Sequence, residues 1–201
     1  MSRSGPIFIR QNFLDGEKAR ALYDHALANA AAFQPTRIGL KGNGRGDPRR
    51  VSLGTKDLGP LKPVLEQALI DHLPLMLSGL SMAPIRIEKL EIEMIAHGDG
   101  GFYGRHIDLN PRQDSKTIRA LSGVYYLHAY PRAFSGGQLR LYPSATGATD
   151  KFIDVDPDHN SLAVFPSWIP HEVMPTRCPS GRFEDSRFSI NCWIHVARKP
   201  G

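Results

Sequence analysis

The stretch Ile85-Arg86-Ile87-Glu88-Lys89-Leu90-Glu91-Ile92-Glu93-Met94 marks a change in the hydrophobic period of the chain. Ile85, Ile87, Leu90, Ile92 and Met94 approximately alternate with Arg86, Glu88, Glu91 and Glu93. That is the pattern of a strand with one dry and one wet face, because successive side chains of an extended backbone point to opposite sides. Downstream, residues 120–128, 138–142, 162–165 and 187–195 read as further strands, each bounded by Gly, Pro, Ser or Asp clusters. Upstream the period is helical. After a short extended start at 7–10, residues 15–33 carry Ala19, Leu22, Ala26, Ala30 and Phe33 on one face, with Asp15 placed to cap. Residues 61–77 carry Leu65, Leu69, Leu73 and Met76, with Pro60 near the start. Short strands joined by turns, with helices gathered on the N-terminal side, predict an α+β, β-rich fold: a sandwich or jelly roll backed by helices. A parallel α/β sheet does not fit, because helices do not alternate with these strands.

The 201 residues, 41% hydrophobic and 22% charged, suffice for one domain with a real core. The expected division is a helical support with a basic loop over 1–84 and a jelly-roll core over 85–201. The 19 Gly and 16 Pro show no repeating period, as expected of many turns. Cys178 and Cys192 cannot make a disulfide framework, so free thiols in a reducing, cytoplasmic setting are expected. The opening residues lack the apolar core of a signal peptide, and the charge-free apolar stretch 72–85 is short and broken by Pro74 and Pro84, so no membrane span is expected. The net charge of +5 suits anionic small molecules, acidic partners or nucleic acid and does not choose among them. Part of it sits in residues 36–50, where Arg37, Lys41, Arg45, Arg49 and Arg50 face a single Asp47 among four glycines. That segment reads either as a solvated loop or as a loop that grips substrate.

His106-Ile107-Asp108 is the first group that asks for chemistry. In an extended segment His106 and Asp108 share a face, and Pro170-His171-Glu172 supplies a second imidazole just after the apolar run 162–165. Two His and one carboxylate on one side of an ion leave positions open for a co-substrate and O2. In the last strand, alternation puts Arg187, Ser189, Asn191 and Trp193 on one face and Phe188, Ile190, Cys192 and Ile194 on the other. The second is a core face. The first is polar, and an Arg there either pairs with Glu184 or Asp185 at the surface or answers a bound dicarboxylate, with Ser189 assisting. The turn at Gly98-Asp99-Gly100-Gly101 reads as a mobile rim rather than a phosphate loop, and Trp168 as either a mouth or a packing residue.

Five ordered stretches resemble the catalytic core of Fe(II)- and 2-oxoglutarate-dependent dioxygenases of the prolyl hydroxylase type: Tyr103-Gly104-Arg105-His106-Ile107-Asp108, Val124-Tyr125-Tyr126-Leu127, Ser135-Gly136-Gly137-Gln138-Leu139-Arg140-Leu141-Tyr142-Pro143, Pro170-His171-Glu172-Val173 and Arg187-Phe188-Ser189-Ile190-Asn191-Cys192-Trp193. The resemblance implies a double-stranded β-helix, with His106, Asp108 and His171 as catalytic iron ligands and Arg187 holding the distal carboxylate of 2-oxoglutarate. It places Tyr126 and Ser189 beside that co-substrate. His97 stands where such enzymes often carry a co-substrate tyrosine. The interval between His171 and Arg187 is longer than the family's usual one, which makes Arg182 a rival for the carboxylate. Cofactors implied are Fe(II), 2-oxoglutarate and O2, with ascorbate as an accessory reductant. Related halogenases have a small apolar residue at the carboxylate position, so Asp108 implies hydroxylation of an unactivated C–H bond.

The first substrate reading is a prolyl residue of a protein or peptide; the second is a free amino acid or small metabolite. A nucleic-acid demethylase of the same superfamily fits less well, because no aromatic–basic alternation marks a strand-binding groove. A non-catalytic, metal-binding jelly-roll module is the reading from another class, and it has little need of open coordination positions.

Overall fold

The computed structural model describes residues 6–36, 49–109, 116–143 and 151–198. Residues 37–48, which hold most of the expected basic loop, lie outside them. Two antiparallel sheets build the expected double-stranded β-helix. The larger has the order β1 (Phe8–Arg10), β11 (Leu162–Pro166), β7 (Thr117–Leu127), β14 (Arg187–Ala197), β5 (Lys89–His97), β4 (Leu53–Thr55), β2 (Gln34–Pro35). The smaller has the order β10 (Ile153–Val155), β9 (Leu139–Leu141), β12 (His171–Val173), β6 (Phe102–His106), β3 (Arg50–Val51). A separate pair joins β8 (Ser135–Gly136) to β13 (Thr176–Arg177).

The period-two pattern sorts the larger sheet's two faces. One face, including Phe188, Ile190, Cys192 and Ile194 of β14, packs on α1 (Gly16–Ala28) and α2 (Lys62–Gly79) through Leu22, Leu65, Leu69 and Met76. The other meets the smaller sheet through Val124, Tyr126, Leu139, Leu141 and Phe165. The alternate residues of β14, starting at Arg187, therefore face the space between the sheets. Burial of so many apolar side chains supplies the main driving force for this arrangement.

Asp15 caps α1 as expected, accepting a hydrogen bond from the Glu17 amide at 2.8 Å. The helix stops earlier than the apolar period suggests. The Asn29 side chain donates to the His25 carbonyl at 2.9 Å, and a short 3-10 turn, Ala30–Ala32, follows. In the second helix Pro60 falls in a preceding 3-10 turn, Gly59–Leu61, while Pro74 sits inside the helix. The N-terminal half also contributes β2, β3 and β4, whose two or three residues are too short for an alternation to register. The turn 98–101, expected to be mobile, is tied down instead. Gly100 donates to the Thr176 carbonyl at 2.8 Å, and Asp99 accepts from the Cys178 amide at 2.8 Å. Among the described residues no helix is long and apolar enough to cross a membrane.

Candidate active site

A cavity of about 490 Å³ opens between the sheets. His106 ends β6 and His171 begins β12, and the register places these two directly opposite each other. Asp108 follows two residues after His106, beyond the end of the strand rather than in an extended continuation of it. Its amide donates to the Ser167 carbonyl at 3.1 Å, which turns the carboxylate back toward the imidazoles. Asp108 Oδ1 lies 3.5 Å from His106 Nε2, and Oδ2 lies 3.5 Å from His171 Nε2. One ligand atom from each of the three falls within 4.8 Å of the others, a spacing that can hold a metal ion.

Each imidazole is oriented by its other nitrogen. His106 Nδ1 donates to the Gly104 carbonyl and His171 Nδ1 to the Ile169 carbonyl, each at 2.9 Å. Those bonds put the proton on Nδ1 and leave the Nε2 lone pairs for an ion. Burial, with His106 adding to it, pulls His171 down to about 4 against the opposing pull of Asp108, so the ring is neutral near pH 7. Burial works to raise the Asp108 carboxyl, but the neighbouring imidazoles of His106 and His171 and a hydrogen bond from Ser122 outweigh it. The carboxylate is held well below its ordinary range. Charge and lone pairs are therefore in the state a divalent metal needs.

Asp108 Oδ2 accepts two further bonds, from Ser122 Oγ at 2.7 Å and Trp193 Nε1 at 2.8 Å. Two donors on Oδ2 leave Oδ1 as the less encumbered oxygen. Arg119 stacks 3.9 Å over the Trp193 ring and pairs with Glu91 at 3.0 Å, which pins the indole in place. Trp193→Phe keeps a ring under Arg119 but deletes the N–H. We expect metal affinity to fall by about 10–100-fold with the fold intact, measured by Fe(II) titration alongside a thermal melt; parental affinity would show that the bond does not support the carboxylate.

Arg187 is fully buried, and no described carboxylate lies within ion-pair distance of it. Its Nε donates to the Gly137 carbonyl at 2.7 Å, and Nη1 to Ser189 Oγ at 3.2 Å and to His97 Nδ1 at 3.3 Å. Nη2 has no partner. The guanidinium lies 5.0 Å over the Tyr126 ring, whose hydroxyl is also unpartnered and is pushed up to about 12 by burial. Burial, then the Arg187 and Arg50 charges, hold His97 well below its ordinary range, so it is neutral. Because His97 Nδ1 accepts from Arg187, its proton sits on Nε2, which is again unpartnered. Buried donors with nothing to bond are rare. Those on Arg187, His97 and Tyr126, together with the unpartnered Thr176 Oγ1, fit the carboxylate end of a dicarboxylate.

The surface pairing of Arg187 with Glu184 or Asp185 does not form; Arg182 pairs with both carboxylates instead, and its exposure removes it as a rival. Ser189, Asn191 and Trp193 line the cavity with Arg187 as the alternation predicts, whereas Trp168 is half-exposed and is not among the lining residues. Sequence reasoning missed three supporting residues. Ser122 shares strand parity with Tyr126, so alternation could have found it. Tyr103 stacks on His106 at 3.7 Å between centroids, and no sequence pattern announces that contact. Gly137 has φ +70°, and a Cβ there would come 2.6 Å from Arg187 Cδ; its place in the stretch 135–143 was the hint.

A jelly roll with two imidazoles and a carboxylate converging beside an unsatisfied buried arginine defines a class, the metal-dependent oxygenases that take a carboxylate co-substrate. The family model of the 2OG-Fe(II) oxygenase superfamily matches residues 92–195, and the chain belongs to that superfamily. It is 30% identical over 189 residues to an uncharacterized PKHD-type hydroxylase of Synechocystis sp., covering 92% of this chain and 61% of that protein's length. Among solved structures, a prolyl-4-hydroxylase of Pseudomonas putida superimposes with a TM-score of 0.67 at 28% identity, covering 96% of this chain and 94% of the other. A prolyl hydroxylase from Trichoplax adhaerens, solved with a hypoxia inducible factor peptide fragment, shares the fold with a TM-score of 0.67 at 23% identity, over 94% and 83% of the two chains.

Proposed function

We propose that the protein hydroxylates a prolyl residue of a peptide or protein in a reaction dependent on Fe(II), 2-oxoglutarate and O2. The observation that carries this reading is the adjacency of the His106–Asp108–His171 cluster to the unsatisfied guanidinium of Arg187. In this reading His106, Asp108 and His171 hold the iron. Arg187 would turn its unpartnered Nη2 to the distal carboxylate of 2-oxoglutarate, with Ser189 and the backbone of Gly137 fixing the plane of the guanidinium. Tyr126 and His97 offer their free hydroxyl and Nε2–H to the same molecule. The bound iron supplies the chemistry that couples decarboxylation of 2-oxoglutarate by O2 to hydroxylation of a C–H bond. The chain's own part is positional: neutral imidazoles, a carboxylate oriented by Ser122 and Trp193, and apolar walls from Val124 and Leu139 that keep water from the reacting carbon.

The peptide reading draws on the likeness to the Pseudomonas putida prolyl-4-hydroxylase. We place the protein in the cytoplasm, where two buried free thiols and Fe(II) both persist. Comparing succinate release with a proline-containing peptide library against a pool of free amino acids tests the substrate class. Release with peptides alone is expected; release only with free amino acids would replace the reading by hydroxylation of a metabolite.

A further inference from the structure

We propose that Arg50 selects the substrate by pairing with a carboxylate that the substrate carries near the carbon to be hydroxylated, so that peptides with an acidic residue beside the target are preferred. The inference rests on the hydroxylase reading above. Arg50 lies in the edge strand β3, opposite Tyr103 of β6. Its guanidinium sits 4.7 Å over the Tyr103 ring, and the Tyr103 and His106 rings stack with 3.7 Å between centroids and an interplanar angle of 17°. Arg50 Nε donates to Ser52 Oγ at 2.9 Å, and that hydroxyl is hydrogen-bonded to Thr36 Oγ1 at 2.7 Å. One face and one edge of the guanidinium are thus held. Its two terminal nitrogens bond no described residue, and Arg50 lines the cavity.

Arg119, which lines the same cavity, is by contrast neutralised by Glu91 at 3.0 Å. No described carboxylate lies within 4.0 Å of Arg50, although Glu93 and Asp108 act on it from farther away and partly oppose the effect of its burial. Lys56 lines the same cavity, also without an ion pair among the described residues. A half-buried cation held rigid with its donor edge unspent is costly to keep unless something anionic meets it. A guanidinium's parallel N–H groups match the plane of a carboxylate. The two stacking steps from Arg50 to His106 set the span. An extended chain advances ~3.3 Å per residue, so the partner carboxylate belongs within about three residues of the target. Arg187 stands in the other sheet and is matched to the co-substrate, so the two arginines serve different anions.

The test uses Zn(II)-substituted, 2-oxoglutarate-bound protein and pairs of end-blocked, fluorescently labelled proline peptides that differ only in Asp or Asn two residues from the proline. Binding is read by anisotropy, so turnover is not required. Wild type should bind the Asp peptide about tenfold more tightly, the worth of one charge-assisted contact. Arg50→Gln should bind the pair nearly equally, and Arg50→Lys should keep part of the preference; a thermal melt confirms that each variant is folded. A second arm compares free proline with prolinamide. Should neither peptide bind while free proline is favoured in an Arg50-dependent way, the carboxylate assignment stands and the peptide reading falls. Equal binding within both pairs by wild type, or a preference that survives Arg50→Gln, overturns the assignment even where the neutral peptide is hydroxylated. Loss of 2-oxoglutarate affinity in step with the preference also overturns it, by moving Arg50 to the co-substrate.

Discussion

Asp108→Ala should abolish hydroxylation and weaken Fe(II) binding by more than the roughly 100-fold upper range seen on losing an outer-sphere partner. The substitution leaves two neutral imidazoles and no negative charge to meet a divalent ion. It also strands the Trp193 Nε1 donor, whereas Ser122 Oγ, the other donor to Asp108 Oδ2, keeps its bond to Ser167 Oγ at 2.9 Å. An unpaired buried donor costs about 1–3 kcal/mol, so part of the effect will appear as lost stability. Asp108→Asn separates the two causes, since its amide oxygen still accepts both bonds while the charge is gone. Stability close to parental with iron binding and activity lost is the result expected of Asn. The readouts are Fe(II) affinity, succinate and hydroxylated product measured together. Succinate formation and substrate oxidation continuing at parental rates in Asp108→Ala would sink the assignment of the ligand.

Arg187→Met should separate function from stability in the opposite direction. The arginine is buried without a carboxylate, and burial of its charge acts against the folded protein until an anion arrives. Methionine fills a similar volume without that penalty and retains contact with the Tyr126 ring. We expect the ligand-free variant to melt close to the parent, the relieved burial of charge offsetting the bonds lost to Gly137, His97 and Ser189. Wild type should gain stability as 2-oxoglutarate is added, rising with the logarithm of its concentration above Kd, and the variant should gain almost none. Loss of this charge-assisted anchor raises the 2-oxoglutarate KM by about 10–100-fold. A variant that retains the ligand-induced shift would show that another group holds the distal carboxylate. A steep fall in ligand-free stability would instead show that Arg187 is a structural residue.

The contrast between these two sites explains what was legible in the sequence. Alternation along 187–195 separates Arg187, Ser189, Asn191 and Trp193 from the core residues between them, because strand geometry allows only two directions for a side chain. The imidazoles and Asp108 were legible because metal chemistry admits few residue types. Tertiary contacts were not. Nothing local tells that Trp193 reaches Asp108, that Tyr103 lies flat on His106, or that Gly137 is excluded from bearing a side chain by Arg187. Strands β2, β3 and β4 escaped for another reason: segments of two or three residues cannot display a period, and their pairing, β2 with β4, β4 with β5 and β3 with β6, is decided by the sheets they join. The longer interval after His171 proved to be a surface turn in which Asp185 accepts from Ser180 and Arg182, while Phe183 packs on Phe33 and Phe188. It lengthens the path to Arg187 without changing which arginine enters the cavity.

One cavity is proposed to hold iron on His106, Asp108 and His171 and 2-oxoglutarate on Arg187 at the same time. Anaerobic titration of the protein with Fe(II) and 2-oxoglutarate, followed by visible absorption, tests it without needing the substrate. A weak charge-transfer band is expected that requires both additions, is absent in Asp108→Ala, and needs far more 2-oxoglutarate in Arg187→Met. Wild-type protein that binds Fe(II) yet shows no band at saturating 2-oxoglutarate would contradict it and leave a metal-binding jelly roll without a co-substrate site.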